Sequence, residues 1–170
     1  NWDAMYRAVD DWTPEFEAEA LPQEVFETLS IDYVGVFNVN HEVVFSSWLV
    51  QAPHGPALVQ GTPDDAIMRV LFKRPDHVVT GIFPTEHGPM FFSSQPILRS
   101  DSTGPEQGFL VMARRISQGL IGDIGRTVRE NISLVPLNSR TFSGDLHAGM
   151  IMQRSGMRLV MVFPVKDYFQ

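Results

Sequence analysis

Gly81-Ile-Phe-Pro-Thr-Glu-His-Gly-Pro-Met-Phe-Phe-Ser-Ser-Gln-Pro-Ile-Leu-Arg99, then Ser100-Asp-Ser-Thr-Gly-Pro-Glu106, then Gln107-Gly-Phe-Leu-Val-Met-Ala-Arg114, decides the fold. The middle piece consists almost wholly of chain-breaking residues. The flanking pieces are apolar and partly alternating, the pattern of strands. The order is strand, strand, polar turn, strand. Three such strands in sequence order predict an antiparallel meander.

The rest of the chain extends this pattern. Ile31 to Val39 is apolar on both faces and predicts a central strand, with Val43 to Trp48 as its hairpin partner. The turn between them, Asn38 to Glu42, places Asn40 where a positive φ is needed. Residues 51–61, with Pro53, Gly55, Pro56 and Gly61, predict a loop. Short helices are expected at Asn1 to Val9, after Pro14, and from Pro22 to Leu29. Thr62-Pro-Asp-Asp65 starts another helix, running to about Lys73 with Ile67, Val70 and Leu71 buried. Ser117 to Glu130 is amphipathic, with Leu120, Ile121, Ile124 and Val128 on one side. Strands are expected at 132–137, 148–154 and 157–165, the last two joined at Ser155-Gly156. The whole predicts an α+β fold with a mainly antiparallel sheet, in one domain over residues 1–170.

Composition narrows the function. The chain has 170 residues, a net charge of −7 and no cysteine. Acidity argues against nucleic acid, which needs a basic face, and against anionic lipid headgroups. The lack of cysteine excludes disulfides, thiol catalysis and Cys-ligated zinc. No apolar run reaches about 18 residues, so no helix of this chain is expected to span a membrane. We expect a domain cut from a longer chain.

No residue set converges on catalysis. His41, His54, His77, His87 and His147 are not at metal-ligand spacing, and His41, His54 and His87 are expected as solvated loop residues. Asp64-Asp65 is helix N-terminal charge, and Asp10-Asp11 and Asp101 are turn or loop residues. Ser93, Ser94 and Ser100 lack a nucleophile elbow. Gly119, Gly122 and Gly125 lack phosphate-loop spacing, and predict a helix packed closely on another backbone. No cofactor is expected. The pattern suits a protein that binds or senses.

Candidate ligand contacts come from strand alternation. Phe91, Ser93 and Gln95 share one face, and an aromatic mixed with Ser and Gln resembles a ligand wall. Tyr33 joins them from the aromatic hairpin. Arg99 and Arg114 each end a strand. Each either pairs with a local carboxylate or anchors an anionic ligand.

Several stretches together carry a family resemblance. They are Trp2-Asp3-Ala-Met-Tyr6, Leu29-Ser-Ile-Asp-Tyr-Val-Gly-Val36, Val43-Val-Phe45, Gly88-Pro89, Pro96-Ile97, and Gly104-Pro-Glu-Gln-Gly-Phe-Leu-Val-Met-Ala-Arg114. In order and spacing the chain resembles the CHASE4 family of sensory domains over nearly its whole length. It departs at Asn40-His41, where the family usually has Asp and Gly, and in the acidic, Pro-containing stretch after the first helix. The resemblance implies a PAS/Cache-like fold in a periplasmic or extracellular domain. That domain would sit between two transmembrane helices. It also implies a cytoplasmic output such as a diguanylate cyclase, phosphodiesterase or histidine kinase. It names no ligand. The expected function is small-ligand sensing by a membrane receptor, with a homodimer as the assembly. The alternative is a module that senses by protein contact, and the domain itself is not expected to be an enzyme.

Overall fold

The computed structural model describes residues 2–63, 65–73, 78–85, 88–132, 151–155 and 158–162. The chain divides into two compact units, with the break between Ile116 and Ser117.

The first unit begins with three short helices, α1 (Trp2–Ala8), α2 (Pro14–Ala20) and α3 (Gln23–Leu29). Thr13 caps α2 by accepting the Phe16 N–H, with Pro14 at the first helical position, where its missing N–H costs nothing. Three strands follow, β1 (Tyr33–Asn38), β2 (Val43–Ala52) and β3 (Gly55–Gln60), then α4 (Asp65–Phe72). The expected meander is β4 (Val79–Thr85), β5 (Gly88–Ile97) and β6 (Gly108–Arg115). All six strands form one sheet in the order β3-β2-β1-β6-β5-β4, with every pair antiparallel. This is the expected α+β architecture with an N-terminal helix.

β1 lies at the centre because its run is apolar in both directions. Tyr33 to Phe37 are all buried. Asp32, just before it, ties three strands together. Its N–H donates to the Ala113 carbonyl at 2.8 Å, its carbonyl accepts the Leu49 N–H at 2.8 Å, and its carboxylate accepts the Arg115 N–H at 2.6 Å.

The sheet separates two cores. Register places Tyr33, Ala113 and Phe92 side by side on one face. There they join Phe37, Phe83, Met90, Phe109 and Val111 under Ile67 and Leu71 of α4. The other face holds Val34, Val36, Phe45, Leu110 and Ile97 under Val9, Leu21 and Phe26 of the N-terminal segment.

Two expectations in this unit are corrected. Residues 51–61 are not all loop, because Gly55–Gln60 pairs along β2 as an edge strand. Pro56 is tolerated there because an edge strand has N–H groups that no neighbour needs. The positive φ of the first hairpin turn falls on His41, at 67°, and not on Asn40. The Asn38 side-chain oxygen accepts the N–H of Asn40 at 2.9 Å and of Glu42 at 3.0 Å. That Asx turn moves the left-handed residue one place along.

The second unit holds α5 (Gln118–Val128) and a separate antiparallel hairpin, β7 (Ile151–Ser155) with β8 (Arg158–Val162). Ser117 caps α5 by accepting the Leu120 N–H. The buried stripe is narrower than expected. Ile121 and Gly125 are buried, but Val128 is 52% exposed. The expected packing of the three glycines on the backbone of another element is not found among the described residues. A Cβ on Gly125 would come within 2.7 Å of the Glu130 carbonyl, at the end of its own helix, while Gly119 and Gly122 have room. The strand expected over 132–137 falls mostly outside the described residues.

Candidate functional site

The six residues picked from the sequence lie in three places. Phe91, Ser93 and Gln95 share a face of β5, as expected, and alternate with buried Met90, Phe92 and Ser94, while buried Ile97 ends their own row. Arg114 joins them, directly opposite Phe91 in register. Thr80 and Ile82 of β4 extend the same row, and the Thr80 and Ser93 hydroxyls are 3.4 Å apart. This part of the face is open, with Phe91 38% exposed. Arg99 lies beyond the end of β5 and stacks over the Tyr6 ring of α1, 5.4 Å from its centroid.

Tyr33 is on the opposite face and completely buried. Its hydroxyl is 2.9 Å from that of Ser46, which in turn donates to the Gly61 carbonyl at 2.6 Å. Burial pushes the Tyr33 phenol well above its ordinary pKa, and the Ser46 hydrogen bond offsets this only in part. The sheet therefore stands between Tyr33 and the Phe91–Arg114 row.

A shallow, open groove lies elsewhere in this unit. About 650 Å³ in volume, it is lined by His41, Asp65, Met68, Arg69, Phe72 and Lys73. None of the six sequence candidates lines it. The β1–β2 turn supplies one wall and α4 the other. The His41 ring stacks on Phe72, with centroids 4.5 Å apart and planes 19° from parallel, and meets Phe109 edge-on at 5.4 Å. Phe72 and Phe109 belong to the aromatic cluster of the closed face. Arg69 lies on α4 and Lys73 directly follows its end, four residues on, and both edge the same opening. The site thus offers an aromatic wall with two basic side chains and the Asp65 carboxylate at its edge, Arg69 Nε donating to the Asp65 carbonyl at 3.3 Å. Among the described residues, no three His, Asp or Glu side chains come together as a metal site.

The CHASE4 domain family matches residues 1–135. This chain belongs to the CHASE4 family. CHASE4 domains are extracytoplasmic sensory domains of signalling receptors, sensory rather than catalytic. No curated protein and no solved structure matches the chain. No described helix is long and apolar enough to cross a membrane.

The CHASE4 motifs take on physical roles here. Asp32, from the Leu-x-x-Asp stretch, is the three-strand junction described above. Gly108 lies where β6 meets the end of β1, and a Cβ there would collide with the Phe37 carbonyl oxygen. Gly88 turns β4 into β5 at φ 96°. The groove had one signal in the sequence, the departure to Asn40-His41. At φ 67°, His41 holds a conformation that glycine would enter without strain. The imidazole it brings forms the groove wall.

Proposed function

We propose that the chain is the periplasmic sensory domain of a transmembrane signalling receptor, and that it seats a small organic anion in the His41 groove. The carrying observation is His41 itself. A non-glycine side chain in a left-handed backbone is held flat on Phe72 at the mouth of a groove edged by Arg69 and Lys73. Strained backbone of this kind concentrates at functional sites. Ligand sites are largely apolar with a few convergent polar groups, and the lining of this groove has that character. The anion would pair with the cations, and its apolar or planar body would lie along His41, Phe72 and Met68.

The test is a thermal-shift and calorimetric screen of the chain against organic acids, amino acids and matched neutral analogues. A saturating anion should raise the melting temperature, and Arg69→Gln and His41→Gly should each remove the shift while leaving the unliganded melt nearly unchanged. Silence across the panel, or binding that survives both substitutions, overturns this site.

A second reading has its own observation. Phe91, with Ile82 and Arg114 beside it, forms an open aromatic and cationic strip on the sheet. Such a strip suits contact with another protein, in a receptor that senses through a partner or through homodimer rearrangement. Ser93 and Gln95 would then supply polar contacts at its rim. The ligand, the cytoplasmic output and the homodimer all belong to the proposal, as does action of residues 1–170 as one sensor.

A further inference from the structure

The two motif stretches furthest apart in the first unit meet. Asp3 accepts the Ser100 N–H at 2.8 Å, and the Tyr6 hydroxyl donates to the Pro105 carbonyl at 3.1 Å. The Gln107 side-chain amide donates to the Asp10 carboxylate, and Arg99 covers the Tyr6 ring. One partner in each contact comes from α1 or the turn after it. The other comes from the Arg99–Gln107 segment between β5 and β6.

That segment is shaped without help from α1. Asp101 accepts both the N–H and the hydroxyl of Thr103, at 2.9 and 2.6 Å. These bonds hold the Asp101 carboxyl below its ordinary pKa. The Ser102 N–H donates to the Arg99 carbonyl at 2.8 Å, and the Gln107 N–H donates to Ile97 at 3.1 Å. Ser102 and Gly104 take positive φ, 59° and 86°. A Cβ on Gly104 would approach Arg99 to 3.5 Å and the Tyr6 hydroxyl to 3.8 Å.

α1, by contrast, is poorly secured. It has seven residues, and of these only Ala8 is buried. Trp2 is 48% exposed. Met5 and Tyr6 are only partly buried against the core. The hydrogen bonds that Asp3, Tyr6 and Asp10 make with the segment are all solvent-exposed.

We propose that the Arg99–Gln107 segment is a pre-formed latch for α1, and that release of α1 from it is a local conformational switch that leaves the six-stranded sheet intact. Few buried contacts and exposed hydrogen bonds place α1 at the low-stability end of the domain. The sheet, joined through Asp32 and two buried cores, lies at the high end. The latch stands apart from the ligand groove, because none of its residues lines that groove.

Amide hydrogen exchange on the chain tests this, with Asp3→Asn and the pair Tyr6→Phe, Gln107→Ala as variants. Asp3→Asn keeps shape and weakens one contact, so it stands in if the pair fails to fold. The expected result is an increase of about tenfold or more in exchange over residues 2–8 for the pair, and a smaller one for Asp3→Asn, with β1 and β6 amides unchanged. A rise of equal size throughout the sheet would make these contacts merely structural and overturn the proposal. Unchanged exchange in α1 would overturn it as well.

Discussion

The two faces of the sheet carry similar side chains to different ends. On the α4 face, Tyr33, Phe83, Phe92 and Phe109 are sealed into one cluster. On the other face, Val34, Val36 and Leu110 are covered by the N-terminal helices, but Phe91 on β5 meets water. Phe91 and Phe92 are neighbours in sequence with the same side chain. Their difference comes from which helices reach which strands. α4 covers the strands on its side out to β4, whereas on the opposite face Phe91 and Ile82 are left uncovered or half-covered.

The sharpest way to break this comparison is to truncate both residues. Phe92→Ala removes a ring packed edge-on to Phe83 at 5.4 Å, and should cost about 3–5 kcal/mol. Phe91→Ala should cost less than about 1 kcal/mol. Urea unfolding of the two variants measures both. Equal losses would mean that the faces are equally packed.

A smaller effect comes from Tyr33. Tyr33→Phe removes its bond to Ser46 and should cost about 1 kcal/mol at neutral pH. The same residue gives a pH signature. Its folded pKa is raised, so the neutral phenol is favoured in the native state. That stability is complete below the ordinary tyrosine value of about 10 and is lost as the pH climbs above it. Tyr33→Phe should flatten the alkaline limb of a stability profile. A limb unchanged by the substitution would assign it to other groups.

The smallest effect is expected at Ser94. Its hydroxyl is fully buried on the closed face and has no hydrogen-bond partner among the described residues. Ser94→Ala removes an unpaired polar atom and should be neutral or stabilising by up to about 1 kcal/mol. A clear loss in the same unfolding assay would reveal a partner for that hydroxyl.

Much of the sheet was legible because its strands are punctuated. The unbroken apolar run Val34–Phe37 has no reading except a covered strand, and Ser100–Glu106 has none except a turn. β3 was hidden because Pro53, Gly55 and Pro56 mark a turn and an edge strand as strongly as they mark a loop. Alternation correctly put Phe91, Ser93 and Gln95 together, since it is a property of one strand. It said nothing of Tyr33, whose face is set by register across β6. The groove was harder still. It joins residue 41 to residues 65–73, and no periodicity connects a turn with a distant helix.

Asp32 and the latch together fix how this unit would bear load. The beginning of the chain is held beside Ser100–Gln107, where β6 starts, and the chain leaves the unit at Ile116, just past its end. The eight residues of β6 lie between these points, a span of about 26 Å. Tension applied between α1 and Ile116 would run along β6, shearing its ladders with β1 and β5. In shear, many hydrogen bonds must fail together, and the Asp32 rivet sits at the exit where the pull is applied. The latch can be peeled, one bond after another. Under a slowly rising force, α1 would be expected to yield before the ladders of β6.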